Sequence, residues 1–542
     1  MFAREMPMGE ANHWAEPDEY ERRAALSEPL LGCGCASCAG VADQMRAASS
    51  APVVRDHRAL LNESFYGFER WNADGFTTDA AVGVTFVTYS FREEGDLPPA
   101  DRLSRGATDA VSFTDEQRGW ARDALAQWDR ASGLVFIEVE DGGMIDLFGV
   151  TGSTVGGYSY GANRDRGGFG ETVVDVGKYQ DLGRQDWLHV LLHEVGHRIG
   201  LAHPHEGSYI LADDLDHQRQ TVMSYNRDPL PSGGLLRPLD LDAARFLYGA
   251  DADPDELGLS YGFDPVTGIF SVGGTDGDDA FNGVNARNLL HGGPGNDHLL
   301  GALYDDEIVG GPGSDTLAGS GGADLLEGGE GDDVLRVGGH ESTLRGGAGD
   351  DVFEIGAMQP VIDGGVGYDI IRIGTLWGGY LSLRDAGTFV GIEALEGGEG
   401  GDFVVGHDTI GLPMALGGGD DTYVPMGAAD LVDLGDGFDT IYFADLLDGP
   451  LTLDLATGQY TNASGFDLTF RVVGAEALVG STFADEMRGT STDDRLEGEG
   501  GDDVVFGLSG ADTLSGGVGS DMIDGGAGAD MIYGDDAIVI FG

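Results

Sequence analysis

Residues 82–91, VGVTFVTYSF, alternate apolar with small or polar side chains and are rich in β-branched and aromatic residues, the pattern of a strand. The apolar interval then becomes helical. In FTDEQRGWARDALAQWDRAS (113–132), Trp120, Ala121, Ala124, Leu125 and Trp128 fall on one face, a stripe that reads as core packing. Thr114, followed three residues later by Gln117, is a capping box that starts this helix. LVFIEVE (134–140), MIDLFGV (144–150), GGYSYG (156–161) and TVVDV (172–176) read as further strands. QDWLHVLLHEVGHRIGLA (185–202) is an amphipathic helix ending near Gly200, and DLDAARFLYG (240–249) is a last helix stopped by Gly249. Residues 1–50 lack a clear period apart from a short helix over 18–27.

Beyond residue 250 helical periodicity gives way to a period of nine. Blocks start at Gly274 and at 283, 292, 301, 310, 319 and 328, and again at 480, 489, 498, 507, 516 and 525. The sixth position holds Asp279, Asn288, Asp297, Asp306, Asp315, Asp324 and Asp333, then Asp485, Asp494, Asp503, Asp512, Asp521 and Asp530. The eighth is apolar, as at Phe281, Leu299, Leu317, Leu514, Ile523 and Ile532. Isolated copies are GGAGDDVFE (346–354), which carries Asp351, and GGEGGDFVV (397–405). One tight turn and one short strand per block predict a parallel β-roll solenoid. A low-complexity linker would have no reason to hold the phase. The chain thus divides into a leader (1–55), a mixed α and β domain (56–252) and a repeat region (253–542), within which 430–480 fits no repeat and is a candidate β-rich insertion.

Charge sharpens the picture. Asp plus Glu outnumber Lys plus Arg by 94 to 30, a formal net charge of −64, which argues against nucleic acid or anionic membrane as partners. Spaced by nine, the acids suit hard cations. Backbone carbonyls of the turn with carboxylates from successive coils make an oxygen cage for several Ca²⁺ ions. Asn288 replaces the aspartate in one block, and the block at 301 lacks its second glycine, so sites there are expected to be weak or empty. No run is long and apolar enough for a membrane helix, and the N-terminus has no signal-peptide core.

The remaining chemistry is concentrated in HEVGHRIGLAH, residues 193–203. His193 and His197, four apart, project from one helix face. Gly200 lets the chain turn and bring in His203. Three neutral imidazoles leave a position open for water, the arrangement of one catalytic zinc, and Glu194 is placed to act as general base. His189 reads as a satisfied core histidine and Arg198 as facing solvent.

This motif, followed by the turn TVMSY (221–225), resembles the metzincin metalloproteases, and with the C-terminal repeats it resembles their serralysin group. The repeats resemble those of RTX proteins. The resemblance implies an α+β metzincin-like catalytic domain, with a twisted mixed sheet plus helices, followed by the parallel β-roll. It implies a zinc-dependent endopeptidase acting on protein or peptide substrates, with Met223 as an apolar floor beneath the metal. Tyr225 would be an additional zinc ligand that also assists the transition state. An exposed sheet edge near the zinc would take the substrate as an added strand, and GGYSYG is the candidate, alongside its reading as an ordinary strand. Export through type I secretion machinery by an uncleaved C-terminal signal, to the extracellular medium and as a monomer, is likewise implied. Calcium would drive folding outside the cell.

The leader offers latency in two ways. It lies across the cleft until removed, or one of Cys33, Cys35 and Cys38 supplies a thiolate to the zinc. Exposed thiols in a disposable segment are the plainer reading. A second reading of the whole is a calcium-binding surface or adhesion protein whose protease domain mainly processes itself.

Overall fold

The computed structural model describes residues 52–61, 63–64, 67–68 and 83–541, apart from 104, 160–169, 180–182, 206–208, 227–233, 251–252, 338–341, 356–359, 374–378, 384–388, 407–410, 427–429, 444–448, 463–470 and 535–536. Cys33, Cys35, Cys38, the helix expected at 18–27 and the end of GGYSYG lie outside the described residues. Two compact units meet in sequence at Asp253 and Pro254.

In the first unit the strands are β1 (Val84–Phe91), β2 (Leu134–Glu138), β3 (Ile145–Thr151), β4 (Gly157–Ser159) and β5 (Gly170–Asp175). The helices are α1 (Asp115–Asp129), α2 (Arg184–Arg198) and α3 (Pro238–Tyr248). The main order of the sheet is β2-β1-β3-β5-β4, parallel except for β4, which runs antiparallel to β5 at the end of the order; off this path Asp109–Val111 pairs antiparallel with β3. All eight residues of β1 are buried, because strands pair on both its sides and both its faces are covered.

Helix α1 starts as its sequence dictates. The Gln117 amide donates to Thr114 Oγ1 and Gln117 Oε1 accepts the Thr114 N–H. Its stripe packs on α2, where Trp128 Nε1 donates to the Leu192 carbonyl at 3.3 Å. Helix α2 is buried over most of its length, more than an amphipathic surface helix would be. It ends at a Schellman turn: Gly200 (φ 97°) donates to the His197 carbonyl and Leu201 to that of Gly196. Tyr248 Oη of α3 donates to the Ile199 carbonyl and pins this end.

Residues 53–55, assigned to the leader by sequence, belong to the unit. Val53–Val54 pairs in parallel with Ile210–Leu211, and Arg55 forms a two-pronged ion pair with Asp214.

The second unit is the roll. Two nine-residue blocks make one coil of 18, so each strand pairs with the strand two blocks on. The eighth positions stack as Phe281, Leu299, Leu317, Leu335, Phe353, Ile371 and Leu395, all buried. Opposite them run Leu290, Ile308, Leu326, Leu344 and Ile362. Residues 430–480 are not wholly separate from this roll. Strands Leu431–Asp433, Asp439–Tyr442, Arg471–Val473 and Ala475–Val479 extend its ladders, since apolar stacking persists where the turn signature lapses. Between the second and third of these strands an antiparallel hairpin of Leu451–Asp454 and Gln459–Asn462 forms, and its first strand pairs with Glu486–Arg488 of the roll.

Candidate metal centre and repeat sites

Helix α2 aims His193 and His197 to one side, and the Schellman turn returns the chain so that His203 faces them. The ligating atoms of the three lie within 4.8 Å of one another. His203 Nε2 is 3.1 Å from His197 Nε2 and 3.2 Å from His193 Nε2. Two ligands about 2.0–2.1 Å from a tetrahedral zinc would lie about 3.3 Å apart, so the spacing fits that ion. The other ring nitrogens set the tautomers. His193 Nδ1–H donates to the Val222 carbonyl and His197 Nδ1–H to that of Leu201, both at 2.8 Å, which leaves Nε2 lone pairs on the inner side. Burial, with His193 and His205 nearby, pushes the His203 pKa well down, so its imidazole is neutral, as a ligand must be.

Tyr225 Oη is 2.6 Å from His203 Nε2, and the Tyr225 ring stacks on His193. Met223 is fully buried against the helix: a Cβ at Gly196 would come 2.6 Å from its sulfur, so a larger residue between the two helical histidines would push the Met223 side chain aside. Glu194 is 2 % exposed, and its Oε2 accepts no hydrogen bond from the described residues. Burial raises its pKa well above the ordinary carboxylate value, against a smaller opposing pull from Arg105. Its Oε1 lies beside β4, where a Cβ at Gly157 would come within 2.8 Å. The candidate edge strand and the candidate base are therefore neighbours.

His189, expected in the core, is half-buried, with Nε2 3.1 Å from Gln218 Nε2. Arg198 does not face solvent. It is buried, and Nη2 donates to the Met144 carbonyl at 2.7 Å. A carbonyl at the start of β3, remote in sequence, gives the guanidinium a partner that spacing along the helix could not reveal.

In the roll, most sixth-position carboxylates reach back one coil, while those of Asp279 and Asp494 accept from their own turns. Asp297 Oδ1 accepts the Asp279 N–H, and Asp315, Asp333 and Asp351 continue the series. On the opposite side Asp306 and Asp324 do the same. In the C-terminal run Asp503 and Asp521 serve Asp485 and Asp503, while Asp512 and Asp530 serve Asp494 and Asp512. The ladder also includes Asp369, Asp421 and Asp439, and Glu393 and Glu476 take the aspartate's part. Sequence reading passed over these acids, although GGVGYDII (364–371) carries the turn signature.

Among the described residues the outer oxygen, Oδ2, of Asp297, Asp315, Asp324, Asp333, Asp351, Asp369, Asp421, Asp439, Asp503 and Asp512 is buried without a hydrogen-bond partner. Burial raises the pKa of these groups, to about 7 for Asp333, Asp421 and Asp503. Rows of buried carboxylate oxygens without donors are costly unless a cation answers them, and this donor set suits calcium.

Asn288 is different. Its Nδ2 donates to the Val284 and Ala286 carbonyls and to Asp306 Oδ1 at 2.8–3.0 Å. The amide nitrogen thus satisfies the oxygens a cation would otherwise take. Asn288→Asp removes that donor and adds a carboxylate. Calcium per chain, measured by mass spectrometry, is expected to rise by about one; an unchanged count would show that the amide does not stand in for an ion.

The RTX calcium-binding nonapeptide repeat matches residues 273–303, 300–335, 327–357, 479–514 and 506–537. Serralysin of Proteus mirabilis is 29% identical over 36% of this chain and 46% of its own length. Metalloprotease AprA of Pseudomonas entomophila (strain L48) is 28% identical over 33% of this chain and 42% of its own. The chain therefore spans less than half the length of either relative. It carries RTX calcium-binding repeats and, over part of its length, is similar to serralysin-type metalloproteases.

Proposed function

We propose that the chain is a secreted zinc endopeptidase whose repeat region folds on calcium outside the cell. The observation that carries this reading is the convergence of the His193, His197 and His203 Nε2 atoms beside a buried Glu194 oxygen that has no hydrogen-bond partner among the described residues. Zinc held by the three imidazoles would polarise the scissile carbonyl and lower the pKa of a water toward about 7. Glu194 Oε2 accepts the proton of the attacking water and returns it to the leaving amine. The Tyr225 hydroxyl, in contact with the His203 ring edge, would be an added ligand to the zinc and is placed to donate to the developing oxyanion. An extended peptide adds to the side of β4 away from β5, where main-chain pairing gives affinity with modest sequence preference. The leader keeps the enzyme silent before export, either by covering the cleft or through a thiolate of Cys33, Cys35 or Cys38. Export follows the type I route, and the enzyme acts as a monomer.

The length of the acidic roll also favours a second reading, a calcium-binding surface protein with a self-processing protease. Casein hydrolysis by the calcium-loaded full chain, compared with Glu194→Ala, separates the two. Turnover by wild type alone supports the endopeptidase; no turnover of casein by either favours the surface protein.

A further inference from the structure

We infer that Asp240, outside the zinc motif and its turn, is the positioning residue that sets His193 for metal binding. The inference rests on the zinc reading above. Asp240 lies in the first turn of α3, is fully buried, and uses both carboxylate oxygens. Oδ1 accepts the Thr221 hydroxyl at 2.6 Å, and the Val222 N–H is shared between Oδ1 at 3.2 Å and Oδ2 at 3.0 Å. Oδ2 also accepts the Arg237 N–H at 2.8 Å. Thr221 Oγ1 in turn accepts the Met223 N–H at 3.0 Å. One carboxylate thereby holds three successive residues of the methionine turn.

The consequence runs through a single peptide group. The Val222 carbonyl accepts the His193 Nδ1–H at 2.8 Å. An amide whose N–H is given to a buried carboxylate has a more electron-rich carbonyl, because hydrogen bonds in series polarise one another. A stronger Nδ1–H···O bond fixes the imidazole plane and makes Nε2 a better donor. A carboxylate that merely capped α3 would need only the Arg237 N–H. The three bonds to Thr221 and Val222 tie it to the metal site instead.

The test is zinc release from the calcium-loaded full chain to a chromogenic chelator, with the cobalt(II) absorption spectrum as a second readout. Wild type, Asp240→Asn, Asp240→Ala and Thr221→Val are compared. Thr114→Ala, which removes the cap of α1, is the control for simple loss of helix stability. Zinc release is expected to quicken about 10-fold in Asp240→Asn, with a shifted cobalt band, and to change in the same direction but less in Thr221→Val. The control is expected to release zinc as wild type does. Release from Asp240→Asn within about two-fold of wild type would overturn the inference and leave the zinc reading standing. Should Asp240→Ala fail to fold, Asp240→Asn and Thr221→Val still decide. A wild type that takes up no zinc overturns the zinc reading, and this inference with it.

Discussion

Glu194→Gln is expected to leave about one zinc per chain while lowering casein hydrolysis by roughly 10²–10⁴-fold, the usual worth of a general acid–base. That loss corresponds to about 3–5.5 kcal/mol of barrier. Glutamine has nearly the same volume, so no cavity opens in the packed helix. None of the four contacts that the histidines make to Val222, Leu201 and one another involves Glu194. What changes is the proton acceptor at Oε2. Replacing a buried carboxylate with a neutral amide also removes a desolvation cost, so thermal stability should hold or rise. Hydrolysis by the variant equal to wild type would show that Glu194 is not the base.

Calcium removal should have the other large effect. In EGTA at neutral pH the β-structure of 260–536 is expected to be lost, and millimolar calcium should restore it. At calcium a hundred-fold above its Kd, each filled site stabilises the fold by about 2.7 kcal/mol. The pH dependence of the metal-free chain follows from the raised aspartate pKa values: about 6 for Asp297 and Asp351, about 7 for Asp333, Asp421 and Asp503, and about 8 for Asp324. Burial is the main cause, with neighbouring aspartates adding to it.

An unfolded aspartate titrates near 3.9, so between about pH 4 and 8 the fold binds more protons than the unfolded chain. Metal-free stability is therefore greatest below about pH 4 and falls as pH rises through roughly 6 to 8. With calcium present the trend reverses, because protons compete for the same oxygens. Circular dichroism in EGTA from pH 4.5 to 8 checks this. A spectrum indifferent to calcium, or metal-free stability that rises with pH, would contradict it.

The parts of the molecule legible in the sequence are those whose causes are local. The Thr114–Gln117 capping box, the turn at Gly200 and the four-residue interval of His193 and His197 each depend on neighbours within one or two turns of chain. The nine-residue phase is local in the same sense and marks the coils wherever it is kept.

What stayed hidden depends on partners far away in sequence. Arg198 meets the Met144 carbonyl 54 residues away, and Asp240 meets Val222 across 18. In the middle of the roll the backward-reaching acid slips from 18 residues to 19 at Asp421, to 24 at Glu393 and to 37 at Glu476. The number of residues between successive strands varies there and erases the phase, while the buried ladder of Met414, Val432 and Val472 continues. At Asn288, where the aspartate is replaced, the side-chain amide nitrogen lies within hydrogen-bond distance of the Val284 and Ala286 carbonyls and Asp306 Oδ1, partners that the nine-residue phase alone does not name.

The central claim is that three imidazoles from α2 and the turn after it bind one catalytic zinc. Metal content by mass spectrometry, on full chain folded in calcium and dialysed against trace zinc, tests it most directly. About one zinc per chain is expected in wild type, with several calcium ions, and far less zinc in His203→Ala with the calcium count unchanged. Wild type without zinc, or His203→Ala with the same zinc as wild type, would contradict the account.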